Sequence, residues 1–220
     1  TAPLCRELYD ASLDAVQVTL YSADPAVHNA LVGAPGFEDT VSGIRNAVAA
    51  GLNVSVNTPL CSLNRDYRAT LEFVRSLGVR YATCSGLIPA GGAVQKDSIA
   101  TRLSTEELTA ALRSAKTWAD HNTMELEFTS PGWLPEGTLQ ALGFTLIPSC
   151  GACLSNMAVA PDGTVLPCQS WLSGPGLGDI LHQPWQKIWN GSDCRRIRRV
   201  SARMEHLCQL GDPRRPKEDA

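Results

Sequence analysis

Cys150-Gly-Ala-Cys153-Leu-Ser-Asn-Met-Ala-Val-Ala-Pro-Asp-Gly163-Thr-Val-Leu-Pro-Cys168 is the stretch that decides how this chain is read. Cys150 and Cys153 stand two residues apart, a spacing that lets both thiolates face one metal centre. Met157 to Ala160 alternates, Pro161-Asp-Gly163 is a turn, and Val165-Leu166 is a second short strand. A tight hairpin of this kind carries Cys168 back beside Cys150 and Cys153. Three sulfurs therefore converge without long-range folding. A fourth must come from downstream, where Cys194 and Cys208 are the candidates.

Five of the eight cysteines fall in the last third of the 220 residues. Cys5, Cys61 and Cys84 lie in or beside apolar segments, where a free thiol behaves as a small hydrophobe. A chain this long has no need of disulfide staples, so the pattern suits a reducing, cytoplasmic setting with one metal site. The net charge of −3 points to neither nucleic acid nor an anionic membrane. No apolar run approaches the roughly 18 residues of a membrane span. The chain opens Thr-Ala-Pro-Leu-Cys-Arg-Glu, without the basic start and apolar core of a signal peptide.

Upstream of Cys150 the hydrophobic pattern alternates between two periods. Strands are predicted at 15–20, 53–58, 79–84 and 124–129, with a short one at 144–147. Helices are predicted between them: from Asp39 to Ala50 with Val41, Ile44 and Val48 inward, after an Asn64 cap with Tyr67, Leu71 and Val74 inward, and after the Ser104-Thr-Glu-Glu107 capping box. Residues 1–14 read as a helix end and a loop, and 134–142 as a short helix. Strands joined by helices over connections too long for hairpins indicate parallel βαβ units and an α/β fold. Gln17, Thr19, Ser55, Asn57 and Thr83 place a polar face on strands that would be apolar on both sides in a fully covered sheet. That face either lines a ligand-holding interior or is simply wet.

After Cys168, Gly174–Gly178 is a bend without the Lys-Ser/Thr of a phosphate loop. Pro184–Asn190 reads as a short helix with Trp185, Ile188 and Trp189 inward, and 193–205 as an arginine-rich helix with a solvated face. Of the histidines only His206, two residues before Cys208, could serve as an alternate ligand. Thiolate ligands suit tetrahedral zinc and an iron–sulfur cluster alike. A zinc ribbon usually brings a second Cys-x2-Cys knuckle, absent here, yet spacing leaves both metals open.

Residues 150–208 resemble the auxiliary-cluster region, SPASM or the shorter twitch type, of the radical S-adenosylmethionine (SAM) superfamily. Cys150 or Cys153 with Gly163 and Cys168 fits its Cys–Gly–Cys spacing, and Leu177-Gly-Asp-Ile-Leu and Trp185-Gln-Lys-Ile-Trp189 look like its following segments. Val18-Thr-Leu-Tyr-Ser-Ala-Asp-Pro, Val54-Ser-Val-Asn57 and Cys84-Ser-Gly-Leu-Ile-Pro-Ala-Gly91 resemble the fourth, fifth and sixth strands of the family's partial (β/α)6 barrel. The superfamily's Cys-x3-Cys-x2-Cys segment and Gly-Gly-Glu are absent from this sequence, as is the dense late run of cysteines of a full SPASM set. Val32 stands where many relatives have Arg.

The resemblance implies a partial barrel over residues 1–147 and an auxiliary-cluster domain over 148–210, and the composition of 211–220 reads as a disordered tail. It implies the C-terminal part of an oxidoreductase acting on a peptide or small molecule, with a reductant protein as a possible partner. One auxiliary [4Fe–4S] cluster would sit on Cys150, Cys153, Cys168 and Cys208. SAM would touch Thr19 and Asn57, and the longer protein would carry a second [4Fe–4S] cluster that cleaves it. The 220 residues alone are expected to lack SAM cleavage. The competing expectation is a non-catalytic, zinc-stabilised binding module on a degenerate barrel. The reaction and the oligomeric state are left open.

Overall fold

The computed structural model describes residues 1–87, 100–129, 134–171, 175–203 and 209. Sequence readings that fall on Cys208, His206 and residues 211–220 lie outside them. The chain divides into two compact units. The first takes in Thr1–Leu87, the described residues from Ala100 to Thr129, and Gly137–Leu146. The second takes in Leu134–Glu136 and the described residues from Ile147 onward.

In the first unit, α1 (Ala2–Asp10) is followed by β1 (Ala15–Thr19), α2 (Pro25–Val32), α3 (Phe37–Ala49), β2 (Asn53–Leu60), α4 (Tyr67–Ser76), β3 (Tyr81–Gly86), α5 (Thr105–His121), β4 (Glu125–Phe128) and α6 (Glu136–Ala141). The strands form one parallel sheet in the order β1-β2-β3-β4, as the helical crossovers require. Among the described residues β1 pairs only with β2.

The register explains why the strands alternate. Val18, Val56, Ala82 and Leu126 share one row, and Thr58, Cys84 and Phe128 the next. This face is buried; α3, α4 and α5 bury Ile44, Leu71, Val74, Leu108 and Leu112. The opposite face carries a row of Gln17, Ser55, Tyr81 and Glu125, then a row of Thr19, Asn57, Thr83 and Glu127.

Local chemistry sets the helix ends. Asp24 caps α2 by accepting from the Ala26 N–H at 2.7 Å, with Pro25 at the first helical position. Ser104 and Glu107 close the foreseen reciprocal box on α5. Ser104→Ala should lower stability by about 1 kcal/mol, read as a lower urea midpoint with an unchanged slope; an unchanged midpoint would mean that the box contributes nothing.

Several expectations are corrected. Residues 2–10 are a complete helix with Cys5 buried. The cap of α4 is Asp66. Asn64 instead sits buried, accepting from Cys61 N–H and donating to the carbonyls of Tyr21 and Pro59, so it ties two strand ends together. Residues 144–147 form no strand. There Phe144 packs its ring near Phe128 and under Lys116.

His28 is 1 % exposed, and its Nδ1 accepts from the Tyr21 backbone N–H at 3.2 Å. Its proton therefore sits on Nε2, which meets no partner among the described residues. Protonating Nδ1 would turn a proton toward an N–H donor, and burial alone already lowers the pKa of His28 below its ordinary 6.5. The unfolded state takes up the proton first, so stability is full above about pH 6.5 and declines as pH falls toward the lowered folded value. His28→Gln should remove that part of the decline in urea midpoints between pH 7.5 and 5.5. A slope identical to the parent's would exclude His28 as its source.

In the second unit, β5 (Ala158–Val159), β6 (Thr164–Leu166) and β7 (Gly178–Asp179) form an antiparallel sheet, followed by α7 (Trp185–Trp189) and α8 (Ser192–Ser201). Among the described residues no helix is long and apolar enough to cross a membrane.

Candidate metal centre

The hairpin is built as its sequence dictates. Ala158 faces Leu166 and Val159 faces Val165. Asp162 accepts from Thr164 N–H at 2.9 Å, which fixes the turn and holds its carboxyl below the usual range. Gly163 follows at φ +90°, where an added Cβ would lie 2.7 Å from Leu181 Cγ. β7, which sequence reading missed, extends the hairpin: Thr164 faces Asp179 and Val165 faces Gly178. Two residues are too short for a periodicity to register.

The first cysteine pair sits in a tight loop. Gly151 O accepts from the N–H groups of Leu154, Ser155 and Asn156 at 2.9–3.0 Å. Cys153 adopts φ +54°, a left-handed conformation uncommon for a residue with a Cβ. Its N–H donates to Pro167 O at 3.0 Å, tying the loop to the residue before Cys168. Backbone bonding thus joins the cysteine loop to the strand that leads into Cys168.

Helix α8 brings a fourth sulfur. Cys150, Ala152, Cys153, Trp171, Cys194 and Ile197 form one buried cluster, with Met157, Cys168, Leu177 and Trp189 packed against it. Cys194 is 1 % exposed and Cys153 is fully buried. Burial, then the neighbouring Cys194, push the Cys153 thiol up to about 12; burial also raises Cys168, which feels Cys150 as a charge neighbour. All seven described cysteines are free thiols.

Polar groups from α8 and its surroundings face these sulfurs. Arg198 donates from Nη2 to Cys194 Sγ at 3.2 Å and from Nε to Cys153 O at 2.7 Å. Ser201 Oγ donates to Ala152 O at 2.6 Å and lies 3.6 Å from Cys150 Sγ. Gln209 Nε2 donates to Ser201 Oγ at 2.7 Å. The inward face expected of α7 is partly corrected: Ile188 is buried, but Trp185 is 39 % exposed and its ring stacks on that of Trp189.

Among the described residues no three His, Cys, Asp or Glu side chains form a group that could hold a metal ion. Yet four cysteines share one buried, largely apolar cluster. Four cysteine sulfurs are a donor set that an iron–sulfur cluster uses, as does tetrahedral zinc. Thiols held protonated by burial are deprotonated on metal binding.

The polar face of the parallel sheet is a separate candidate. Thr19 and Asn57 are register partners on it; Asn57 Oδ1 accepts from Thr83 Oγ1 at 2.9 Å, and Gln17 Nε2 reaches Thr83 Oγ1 at 3.4 Å. Sequence reading missed Tyr81 and Glu127, where the phenol donates to the carboxylate at 2.5 Å. Burial, then Glu127, raise Tyr81 to about 12. The alternation Glu125-Leu-Glu127-Phe carried the signal.

Residues 150–210 match the SPASM family, an iron-sulfur cluster-binding domain. No curated protein matches the chain by sequence. Among solved structures, native anSMEcpe with bound AdoMet (S-adenosylmethionine) is similar at TM-score 0.67 and 12 % identity, over 91 % of this chain and 56 % of its own. SuiB of Streptococcus suis bound to precursor peptide SuiA is similar at TM-score 0.63 and 12 % identity, over 84 % and 44 %. SuiB bound to S-adenosylmethionine gives 0.61 at 13 % identity, over 84 % and 44 %. The chain thus spans about half the length of the structures it matches.

Proposed function

We propose a function from the premise that residues 150–210 are a SPASM iron–sulfur cluster-binding domain in a chain with the fold of radical SAM enzymes. The chain is the C-terminal part of a radical SAM enzyme that modifies a peptide. Its last third holds an auxiliary [4Fe–4S] cluster. The observation that carries this reading is the buried cluster of four cysteines in the matched segment.

Cys150, Cys153 and Cys168 are three of the ligands. Cys194, packed among them, is the fourth described thiolate, and Cys208, favoured by the resemblance, competes for that role. When bound, the cluster supplies a redox-active iron site able to exchange an electron or take a substrate donor atom. The cysteine loop and α8 position the thiolates, and Trp171, Met157 and Leu177 exclude water from them.

Residues 1–147 form the second half of the partial barrel, and 148–210 the auxiliary domain. On the polar sheet face, Thr19 and Asn57 bind SAM. Tyr81 and Glu127 complete a hydrogen-bonding wall beside them. A peptide is the preferred substrate class, since SuiB was solved with a precursor peptide. A reductant protein and a cytoplasmic setting belong to the same reading.

SAM binding tests the sheet face. In the longer protein, Asn57→Ala should weaken SAM affinity about tenfold by equilibrium dialysis, the scale of one hydrogen bond in a polar site. Unchanged affinity in both Asn57→Ala and Thr19→Ala would remove SAM from this face. Iron loading of Cys194→Ala against Cys208→Ala assigns the fourth ligand: the variant that loses iron names it.

A further inference from the structure

We propose that Arg198 is a positioning residue for the auxiliary cluster, fixing the Cys194 thiolate through a charged N–H···S bond and thereby raising the cluster's reduction potential. This rests on Cys194 being a ligand, as in the reading above.

Arg198 is placed more tightly than a surface arginine. Cys194 and Arg198 are one helical turn apart on α8, so their side chains meet on one face. Nε donates to Cys153 O at 2.7 Å, and Nη2 donates both to Trp189 O at 2.9 Å and to Cys194 Sγ at 3.2 Å. The guanidinium carbon lies 3.6 Å from the centroid of the Trp189 ring, so the plane is held from its face as well as its edge. The neighbouring Arg195, Arg196 and Arg199 are exposed. Only the planar fork of arginine satisfies two carbonyls and a sulfur at once; lysine offers a point charge on a flexible stem.

The two contacts act differently. The carbonyl bonds tie the cysteine loop at Cys153 to the end of α7 at Trp189, which is structural. The sulfur bond places a fixed positive charge at a ligand atom. A cluster gains negative charge on reduction, so such a bond stabilises the reduced form; hydrogen bonds to ligand sulfurs are an established lever on potential. Among the described residues Cys150 has only neutral and longer contacts: the Ser201 proton is directed to Ala152 O at 2.6 Å, against 3.6 Å to the sulfur, and Gln209 Nε2 lies 3.8 Å from it.

The test is a redox titration of the reconstituted full-length protein, followed by the spectrum of the reduced cluster, with iron measured on the same samples. Arg198→Gln should lower the potential by about 59 mV, a tenfold loss in the reduction equilibrium of a one-electron couple. Arg198→Lys, which keeps the charge and loses the directed bond, should fall between. A purely structural Arg198 would lower iron content while the clusters retained kept the parent's potential, and that result overturns the proposal. If Arg198→Gln holds no iron, the lysine variant decides: a lowered potential supports the proposal, the parent's potential overturns it. A parent protein without a cluster would instead overturn the underlying site reading.

Discussion

Cys153→Ser should reduce iron in the anaerobically reconstituted protein from about four atoms per chain to less than about one. Cys153 is fully buried, its N–H is tied to Pro167 O, and it shares a buried cluster with Cys150 and Cys194 against which Cys168 packs. No other described position joins the cysteine loop, the hairpin and α8 in this way. The left-handed backbone at φ +54° raises the question of whether any substitution harms the loop simply by strain. Cys153→Gly separates the two effects, since glycine adopts that conformation without cost. The loop is then relaxed while the ligand is gone, and iron should still be lost. Full iron in Cys153→Gly would show that Cys153 is not a ligand.

Leu112→Ala should cost about 2–5 kcal/mol, the range for a buried leucine whose surroundings cannot close around the cavity. Leu112 is fully buried on α5, the helix that crosses over between β3 and β4. The sheet face beneath the helices is lined by Val56, Ala82, Leu126 and Phe128 with little slack. The effect should appear as a marked drop in urea midpoint of the parallel-sheet unit, several times larger than that of Ser104→Ala. A loss below about 1 kcal/mol would mean that α5 is not packed on the sheet as described.

What the sequence disclosed follows the range of the forces involved. The hairpin at 158–166 was legible because its turn residues and alternation are local, and Gly163 occupies the left-handed position such a turn needs. The parallel strands and α3, α4 and α5 were legible from periodicity. The role of Asn64 was not: its three partners are backbone groups of Cys61, Tyr21 and Pro59, and only the fold brings Tyr21 there. Asn64 looked like a cap because asparagine commonly caps. The sheet's polar face was visible in Gln17, Thr19, Ser55 and Asn57, but Tyr81 and Glu127 join it only through the register of β3 with β4.

Local spacing named Cys150, Cys153 and Cys168 as candidate ligands, and in the structure Cys168 packs against the cluster that buries the other two. Cys194 could be named only as a candidate, because its place depends on how α8 packs. Arg198 was read merely as part of a solvated basic face. Its bonds to Cys153 O and Trp189 O lie 45 and 9 residues away in the chain, beyond any local pattern.

Residues 150–210, which match an iron–sulfur cluster-binding domain, should hold such a cluster. Iron, acid-labile sulfide and zinc should be measured per chain after anaerobic reconstitution, with the absorption spectrum before and after reduction. The account predicts about four irons and four sulfides, with broad visible absorption that bleaches on reduction. One zinc with no sulfide, persisting after reconstitution with iron and sulfide, would contradict it and leave a zinc-stabilised module in its place.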